Sequence, residues 1–266
     1  MKINLAYNSE IMPVKIDGDT WTLRLFYNDK DYIIKYYDID NSKTLIDKFL
    51  YACENGLCKL NLFGYTDKIL VYEDVMTNDN YRKINTCEDI CLVAMWYKNL
   101  HSIVIDKFDN YRDYFTYNNV IKVIRNYNLD YNEAMTLIAK NFSNIDIKLS
   151  RNKQCLILDD FNDKKFAFKK DTNEVICLDF DGLKRGLCYI DIMKICDNIG
   201  DEARAQLIKS YGEISKDEII MCDVIDPIIR LYLLIDRESN GEKSKLLEVV
   251  SSKKYIEKVQ SLIEWY

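Results

Sequence analysis

Two prolines and eight glycines are all the backbone punctuation that 266 residues contain. That is too little for a collagenous or Gly/Pro-rich low-complexity chain, and a composition 48% apolar and 30% charged excludes a wholly disordered one. No basic run is long enough to track a phosphate backbone, and the formal net charge is −6 with both signs scattered. Nucleic acid is therefore excluded as the main partner. The same acidic balance favours a cationic ligand through its long-range field, an effect that salt screens. No apolar run reaches the roughly 18 residues of a membrane span, and the opening "MKINLAYNSEIMP" has no basic segment followed by an apolar one. The expectation is a soluble, cytoplasmic protein without a membrane partner; oligomeric state is not encoded in any readable way.

Nine cysteines, at positions 53, 58, 87, 91, 155, 177, 188, 196 and 222, include no Cys-x-x-Cys spacing. Most lie in apolar runs such as "KQCLIL" and "VICLDF", where a reduced thiol behaves as a small hydrophobe and a reducing compartment fits best. Cys87 and Cys91 fall one helical turn apart, but zinc favours four ligands and no second pair accompanies them.

What the sequence does contain is a β-rich start and a helical remainder. "TWTLRLF", a turn at "YNDKD" and "YIIKYYDI" read as a hairpin. "SKTLIDKFLYACENG" reads as a helix ending at Gly56, and "CKLNLFGY" and "KILVYEDV" as two further strands. This β-β-α-β-β order predicts a small α+β lobe over residues 1–75. Residues 76–266 are mostly helical in pattern. Thr86 with Asp89, Asp130 with Glu133 and Ser215 with Glu218 mark helix starts, and Pro227 is expected to kink or divide the helix that follows Ser215.

One stretch interrupts the helical half: "LDDFNDKKFAFKKDTNEVICLDFDG", residues 158–182. It reads as a loop, a strand, a turn centred near residues 172 and 173, and a second strand, which puts residue 165 roughly opposite 180. Asp160 and Asp179 then approach the same open end. Two carboxylates there can share a divalent cation, or one can orient a hydroxyl while the other holds metal. The plainer alternative is a pair of solvated loop acids.

The β lobe with a strand lysine, the helical lobe, the loop, the hairpin and "LDFDG" together resemble the aminoglycoside phosphotransferase and choline kinase family of the protein-kinase-like fold. In that family the loop reads His-Gly-Asp, four residues, then Asn. Here Leu158, Asp159 and Asp160 stand at His, Gly and Asp, Lys165 stands at Asn, and Asp179, Phe180 and Asp181 fit the later Asp-Phe-Asp motif. "WYKNLHSI" and "GLKRGLCYIDI", down to Asp191, also resemble the family pattern. The resemblance implies an α+β, two-lobed kinase-like fold, with a small antiparallel-β N-terminal lobe carrying one helix. It implies ATP or GTP with Mg²⁺ as cofactors and a phosphotransferase acting on a hydroxyl of a small aminoglycoside-, choline- or sugar-like molecule. Asp160 would act on the acceptor hydroxyl and Asp179 would bind Mg²⁺ across the phosphates. Lys35 in "YIIKYY" would contact the α- and β-phosphates, with Asp47 as its acidic helix partner and Glu54 as runner-up. Adenine would sit against the linker Tyr72, Glu73, Asp74 and Val75.

The departures from the pattern open a second reading. The single histidine, His101, is not in the loop, so apolar support from Leu158 is expected in its place; His101 itself reads as a packed core imidazole. Lys165 cannot coordinate Mg²⁺ as an Asn carbonyl does, because an ammonium only donates. It can neutralise phosphate charge directly, or Asn162 can supply the missing ligand, or catalysis is lost. No glycine-rich phosphate loop precedes the strand lysine: "SEIMPVKIDGDTW" holds only Gly18. A kinase-fold binding or scaffold protein, a pseudokinase, is therefore the alternative.

Overall fold

A computed structural model describes residues 10–17, 19–103, 107–159, 161–237 and 239–264. Asp160 and Gly18 lie outside the described residues. The chain groups into two compact units. One comprises Met1–Tyr97, Asp160–Leu183 and Asp201–Ser210; the other comprises Lys98–Asp159, Lys184–Gly200 and Tyr211–Tyr266.

In the first unit, β2 (Thr20–Tyr27) and β3 (Lys30–Tyr37) form the expected hairpin. Its two turn residues, Asn28 and Asp29, both take left-handed backbone, with φ of 51° and 59°. That is the turn geometry whose twist matches the flanking strands, and Asn and Asp tolerate it. Helix α1 (Ser42–Glu54) follows, with Gly56 just past its end at φ 70°, the left-handed position that closes many helices. β4 (Leu62–Tyr65) and β5 (Ile69–Glu73) complete an antiparallel sheet of order β1-β2-β3-β5-β4. The edge strand β1 (Glu10–Asp17) was not expected from the sequence. Pro13 within it argues against a central strand, and the register shifts between Pro13 and Lys15, as edge strands permit. Its Ile11, Met12, Val14 and Ile16 are exposed.

Helix α2 (Cys87–Ser102) opens on a reciprocal capping box. Asp89 N donates to Thr86 Oγ1 at 3.2 Å and Thr86 N to Asp89 Oδ2 at 3.0 Å. Asp here does what Glu usually does. Three strands, β6 (Tyr81–Lys83), β8 (Phe166–Lys169) and β9 (Val175–Cys177), form a second small sheet. β8 pairs β9 in the register Phe166 with Cys177 and Phe168 with Val175. Lys165 thus lies opposite Leu178, whose amide donates to the Lys165 carbonyl at 2.8 Å; the expected partner was residue 180. The core of this unit gathers Phe49, Trp96, Tyr97, Phe166 and Phe180, with ring centroids 5.1–6.3 Å apart for the contacting pairs.

The second unit is predominantly helical. Its core is built by α3 (Tyr117–Asn126), α4 (Glu133–Lys140), α5 (Phe142–Arg151), α8 (Lys216–Leu233), α9 (Asn240–Val250) and α10 (Lys253–Glu264). The N-cap of α4 is Asn132, whose side chain accepts from Met135 N, in place of the expected Asp130. Ser215 caps α8 as expected. Pro227 does not divide α8. A lost amide bond and ring clash cost roughly 3 kcal/mol, and the buried face around Val224, Ile225, Ile228 and Ile229 holds the helix through that point. A two-stranded ribbon of β7 (Cys155–Ile157) and β10 (Lys184–Gly186) and α6 (Tyr189–Cys196) complete the elements that carry chemistry; α7 (Asp201–Tyr211) follows α6 in the chain and belongs mainly to the first unit. An antiparallel sheet followed by a largely helical remainder establishes the α+β class.

Candidate functional site

Two polar clusters stand out, one in each unit. The first is built on Lys35, which lies in mid-β3 and is only 8% exposed. A lone surface lysine would snorkel to water; this one turns inward because it has partners. Its ammonium lies 2.8 Å from Asp179 Oδ1 and 3.4 Å from Asp181 Oδ2. The other oxygen of Asp179 is held by Lys165 Nζ at 3.0 Å. Asp181 Oδ1 accepts from the Tyr37 hydroxyl at 2.9 Å, and its carbonyl accepts from Lys48 Nζ at 3.1 Å. The Asp181 amide donates to Asp179 Oδ1 at 3.2 Å, so the segment after β9 curls around its own carboxylate.

Charge follows from this packing. Burial pulls the Lys35 ammonium towards neutrality, but Asp179 first and Asp181 second outweigh it and hold its pKa well above the usual lysine value. Burial likewise opposes ionisation of Asp179, and Lys35 and Lys165 reverse that, keeping its carboxyl far below the usual range. Asp181 moves the other way: burial, with the Asp179 charge added, exceeds the pull of Lys35 and raises it. Adjacent carboxylates are thus driven apart, the arrangement that assigns two acids different tasks.

The residues expected to complete this site divide sharply. Lys35, Lys165 and Asp179 are brought together. Asp47 is not the partner of Lys35, nor is Glu54: among the described residues Lys35 pairs only with the two aspartates. One residue further round α1, about 100° away on the helix, Lys48 is the side chain that reaches the cluster. Asn162 is exposed, and its Oδ1 accepts from Lys164 N at 2.9 Å, capping the 3₁₀ turn Asp163–Lys165. In the linker, Glu73 accepts from the Asn61 and Asn78 amides at 2.6 and 3.3 Å, Asp74 holds Arg24 at 2.7 Å, and Val75 is buried at 3% exposure. Asp160, placed by the sequence in the catalytic role, lies outside the described residues.

Among the described residues a divalent cation would find the carboxylates of Asp179 and Asp181 here, and both oxygens of Asp179 already accept ammonium protons. Among the described residues no group of three His, Cys, Asp or Glu side chains converges closely enough to hold a metal, and Cys87 and Cys91 are both free thiols. The donor set fits a single Mg²⁺ that takes most of its ligands from phosphate and water. Among the described residues it does not fit a pair.

The second cluster surrounds the chain just before Asp160. Asp191, 1% exposed on α6, accepts from Leu158 N at 2.9 Å and from Asp159 N at 2.7 Å. His101, from α2, places Nε2 2.9 Å from Asp191 Oδ2 and Nδ1 2.7 Å from the Tyr211 hydroxyl. A carboxylate only accepts, so Nε2 carries the proton. The expectation that Leu158 alone supports this strand is thereby corrected: Leu158 is fully buried, and the single histidine also contributes, from a helix about 60 residues upstream. No local sequence signal announces this, although an aspartate amid the apolar residues of "YIDIMKIC" is the kind of buried acid that requires partners.

Asp159 occupies the position at which the resembled family has glycine, and it keeps the glycine conformation, with φ 54°. Its carboxylate compensates by binding Lys184 at 2.7 Å and Lys194, and Lys194 also donates to the Asp159 carbonyl at 3.0 Å. Neither lysine was singled out by sequence, because both are distant in the chain and ordinary in type.

No family model and no curated protein matches the chain by sequence. Solved structures do match. A ternary complex of APH(2")-IIa with streptomycin and ATP superposes with a TM-score of 0.63 at 18% identity, covering 93% of each chain. A choline/ethanolamine kinase family protein from Mesorhizobium loti gives 0.66 at 9% identity, covering 94% of this chain and 92% of its own. The choline kinase LicA from Streptococcus pneumoniae gives 0.64 at 10% identity over 91% and 93%. Over more than nine tenths of its length, the chain has the protein-kinase-like fold seen in aminoglycoside phosphotransferases and choline/ethanolamine kinases.

Proposed function

We propose that this protein binds ATP or GTP and transfers the γ-phosphoryl group to a hydroxyl of a small molecule, in the manner of the aminoglycoside, choline or sugar kinases its fold resembles. One observation carries the reading: a lysine in the middle of the β3 strand is buried and ion-paired with Asp179, 144 residues away. Removing an ammonium ion and two carboxylates from water is costly, and a fold whose solved examples include nucleotide complexes gives that cost a purpose. Residues 1–75 would contribute the nucleotide lobe and residues 76–266 the acceptor lobe. Lys35 would bind phosphate oxygens, the linker around Glu73 and Val75 would take the base, and Asp179 would hold a Mg²⁺ that would supply charge neutralisation, the lone metal-dependent contribution. Asp160, next in sequence after Asp159, would receive the acceptor's proton. Positioning and charge stabilisation are what this chemistry demands of a protein. The acidic balance of the chain favours an amine-bearing acceptor.

A second reading has its own support. Lys165 pairs with Asp179 Oδ2, at the position where a neutral metal ligand stands in the resembled family. A pseudokinase would bind nucleotide and stop there. The two part in one experiment. At a hundredfold excess over Kd, Mg-ATP should stabilise the folded chain by about 2.7 kcal/mol, a Tm rise of roughly 5–10 °C for a chain of this size. Slow ATP hydrolysis that disappears in Asp160→Asn supports the kinase. Binding with no turnover across aminoglycosides, choline and sugars supports the pseudokinase. No thermal shift with millimolar nucleotide removes both.

A further inference from the structure

We infer that Lys165 does the work of a second divalent cation, so that nucleotide phosphate is neutralised by an ammonium ion fixed in the chain. This deepens the nucleotide-binding reading and rests on it.

Placement is the first argument. Lys165 ends the 3₁₀ turn capped by Asn162, and its carbonyl is locked by Leu178 N at 2.8 Å. Those two constraints leave the backbone little freedom, and the side chain, 17% exposed, reaches Asp179 directly. A lysine that merely tolerated the position would extend into water, since its stem is long and its head strongly hydrated.

Charge is the second. Among the described residues, two ammonium groups (Lys35 and Lys165) contact the carboxylates of Asp179 and Asp181, and a third, Lys48, donates to the Asp181 carbonyl. Sites for divalent cations are built the other way, with negative protein charge to spare. A cluster whose described carboxylates already accept ammonium protons favours phosphate over a second Mg²⁺. Chemistry completes the case. An ammonium ion donates and never coordinates, so Lys165 can meet phosphate oxygens directly but cannot share a metal with them. Asn162, the amide that the sequence offers as an alternative oxygen ligand, spends its Oδ1 on Lys164 N.

The test uses the full chain, with ATP titrated calorimetrically in EDTA and in Mg²⁺, and Mn²⁺ counted by electron paramagnetic resonance in the ATP-saturated protein. Chelation should weaken ATP by less than about tenfold, and one Mn²⁺ should bind per nucleotide complex. Lys165→Asn should lose more than about tenfold of its metal-free affinity and take up a second Mn²⁺, while Lys165→Arg, which keeps the charge, should retain metal-free binding. Loss of ATP binding in EDTA, or two Mn²⁺ in the unaltered chain, overturns this inference and leaves the nucleotide reading intact. No ATP binding in either buffer overturns the nucleotide reading and this inference with it.

Discussion

Replacing Asp191 should loosen the segment leading into Asp160 before it disturbs anything else. Its two carboxylate oxygens serve three donors: the amides of Leu158 and Asp159 and the Nε2 proton of His101. All sit in a site where Leu158 is fully buried and His101 is 7% exposed, so water does not readily replace the acceptor. Each buried donor left unpaired costs about 1–3 kcal/mol, and breaking a buried charge-assisted set typically costs about 3–5 kcal/mol in all. Asp191→Ala should therefore destabilise the chain by about 4 kcal/mol, lowering Tm by roughly 8–16 °C at 2–4 °C per kcal/mol. Asp191→Asn keeps one carbonyl oxygen but turns an amide donor toward another donor, and about half that loss is expected. Urea unfolding followed by tryptophan fluorescence gives the total. Amide hydrogen exchange gives the place, because Leu158 and Asp159 should lose protection ahead of the helical core. An alanine variant within 1 kcal/mol of the original, or unchanged exchange at those two amides, would show that Asp191 does not hold the loop and that the assigned geometry is wrong.

Two further outcomes follow from other sites. Asp89, 2% exposed in its side chain, has a carboxyl whose burial is outweighed by Arg82 and by the amides of Asn85 and Thr86, which bring its pKa down to about 2. A depressed carboxylate stabilises the fold above its unfolded value near 3.9, and that contribution fades as pH falls towards 2. Asp89→Asn should therefore remove about 2 kcal/mol at neutral pH and flatten the acid limb between about pH 4 and 2, as urea midpoints measured across that range will show; an unchanged acid limb counts against the pairing. Gly186, in β10, abuts Ile157, and a methyl there would also meet Tyr111 Cβ at 3.3 Å. Gly186→Ala should cost about 1–3 kcal/mol by overpacking, measurable by thermal unfolding, and a neutral result would mean that the β7–β10 ribbon packs more loosely than described.

The parts of the fold that could be read in advance are those whose signal is local. The β2–β3 hairpin announces itself by alternating residues around "YNDKD", and α1 by an apolar stripe that stops at Gly56. Thr86 and Asp89 name the start of α2. What stayed hidden depends on distant partners. β1 is obscured by its own proline, and β6 is three half-polar residues that become a strand only because β8 lies beside them. Lys35, Lys165 and Asp179 were found by motif. Their mutual contact depends on a hairpin register that differs from the expected one by two residues, which brings Lys165 beside Leu178 and within reach of the next side chain. Asp47 fails by a single helical position, since 100° of rotation exchanges it for Lys48. Asp191 and His101 could not be paired from sequence at all: 90 residues separate them, and neither has a neighbour that implies the other.

The edge strand β1 has a consequence for how the protein lives among copies of itself. Its apolar side chains are the most uniformly exposed in the sheet, and an open ladder beside such a row is where strands of separate molecules zip together and aggregate. Pro13 withholds a donor in the middle of that ladder, and the shift beside it breaks the register against which an incoming strand would align. A residue that looks like an obstacle to folding thus serves as protection against self-association, guarding one of the two borders of the sheet that no other described strand covers.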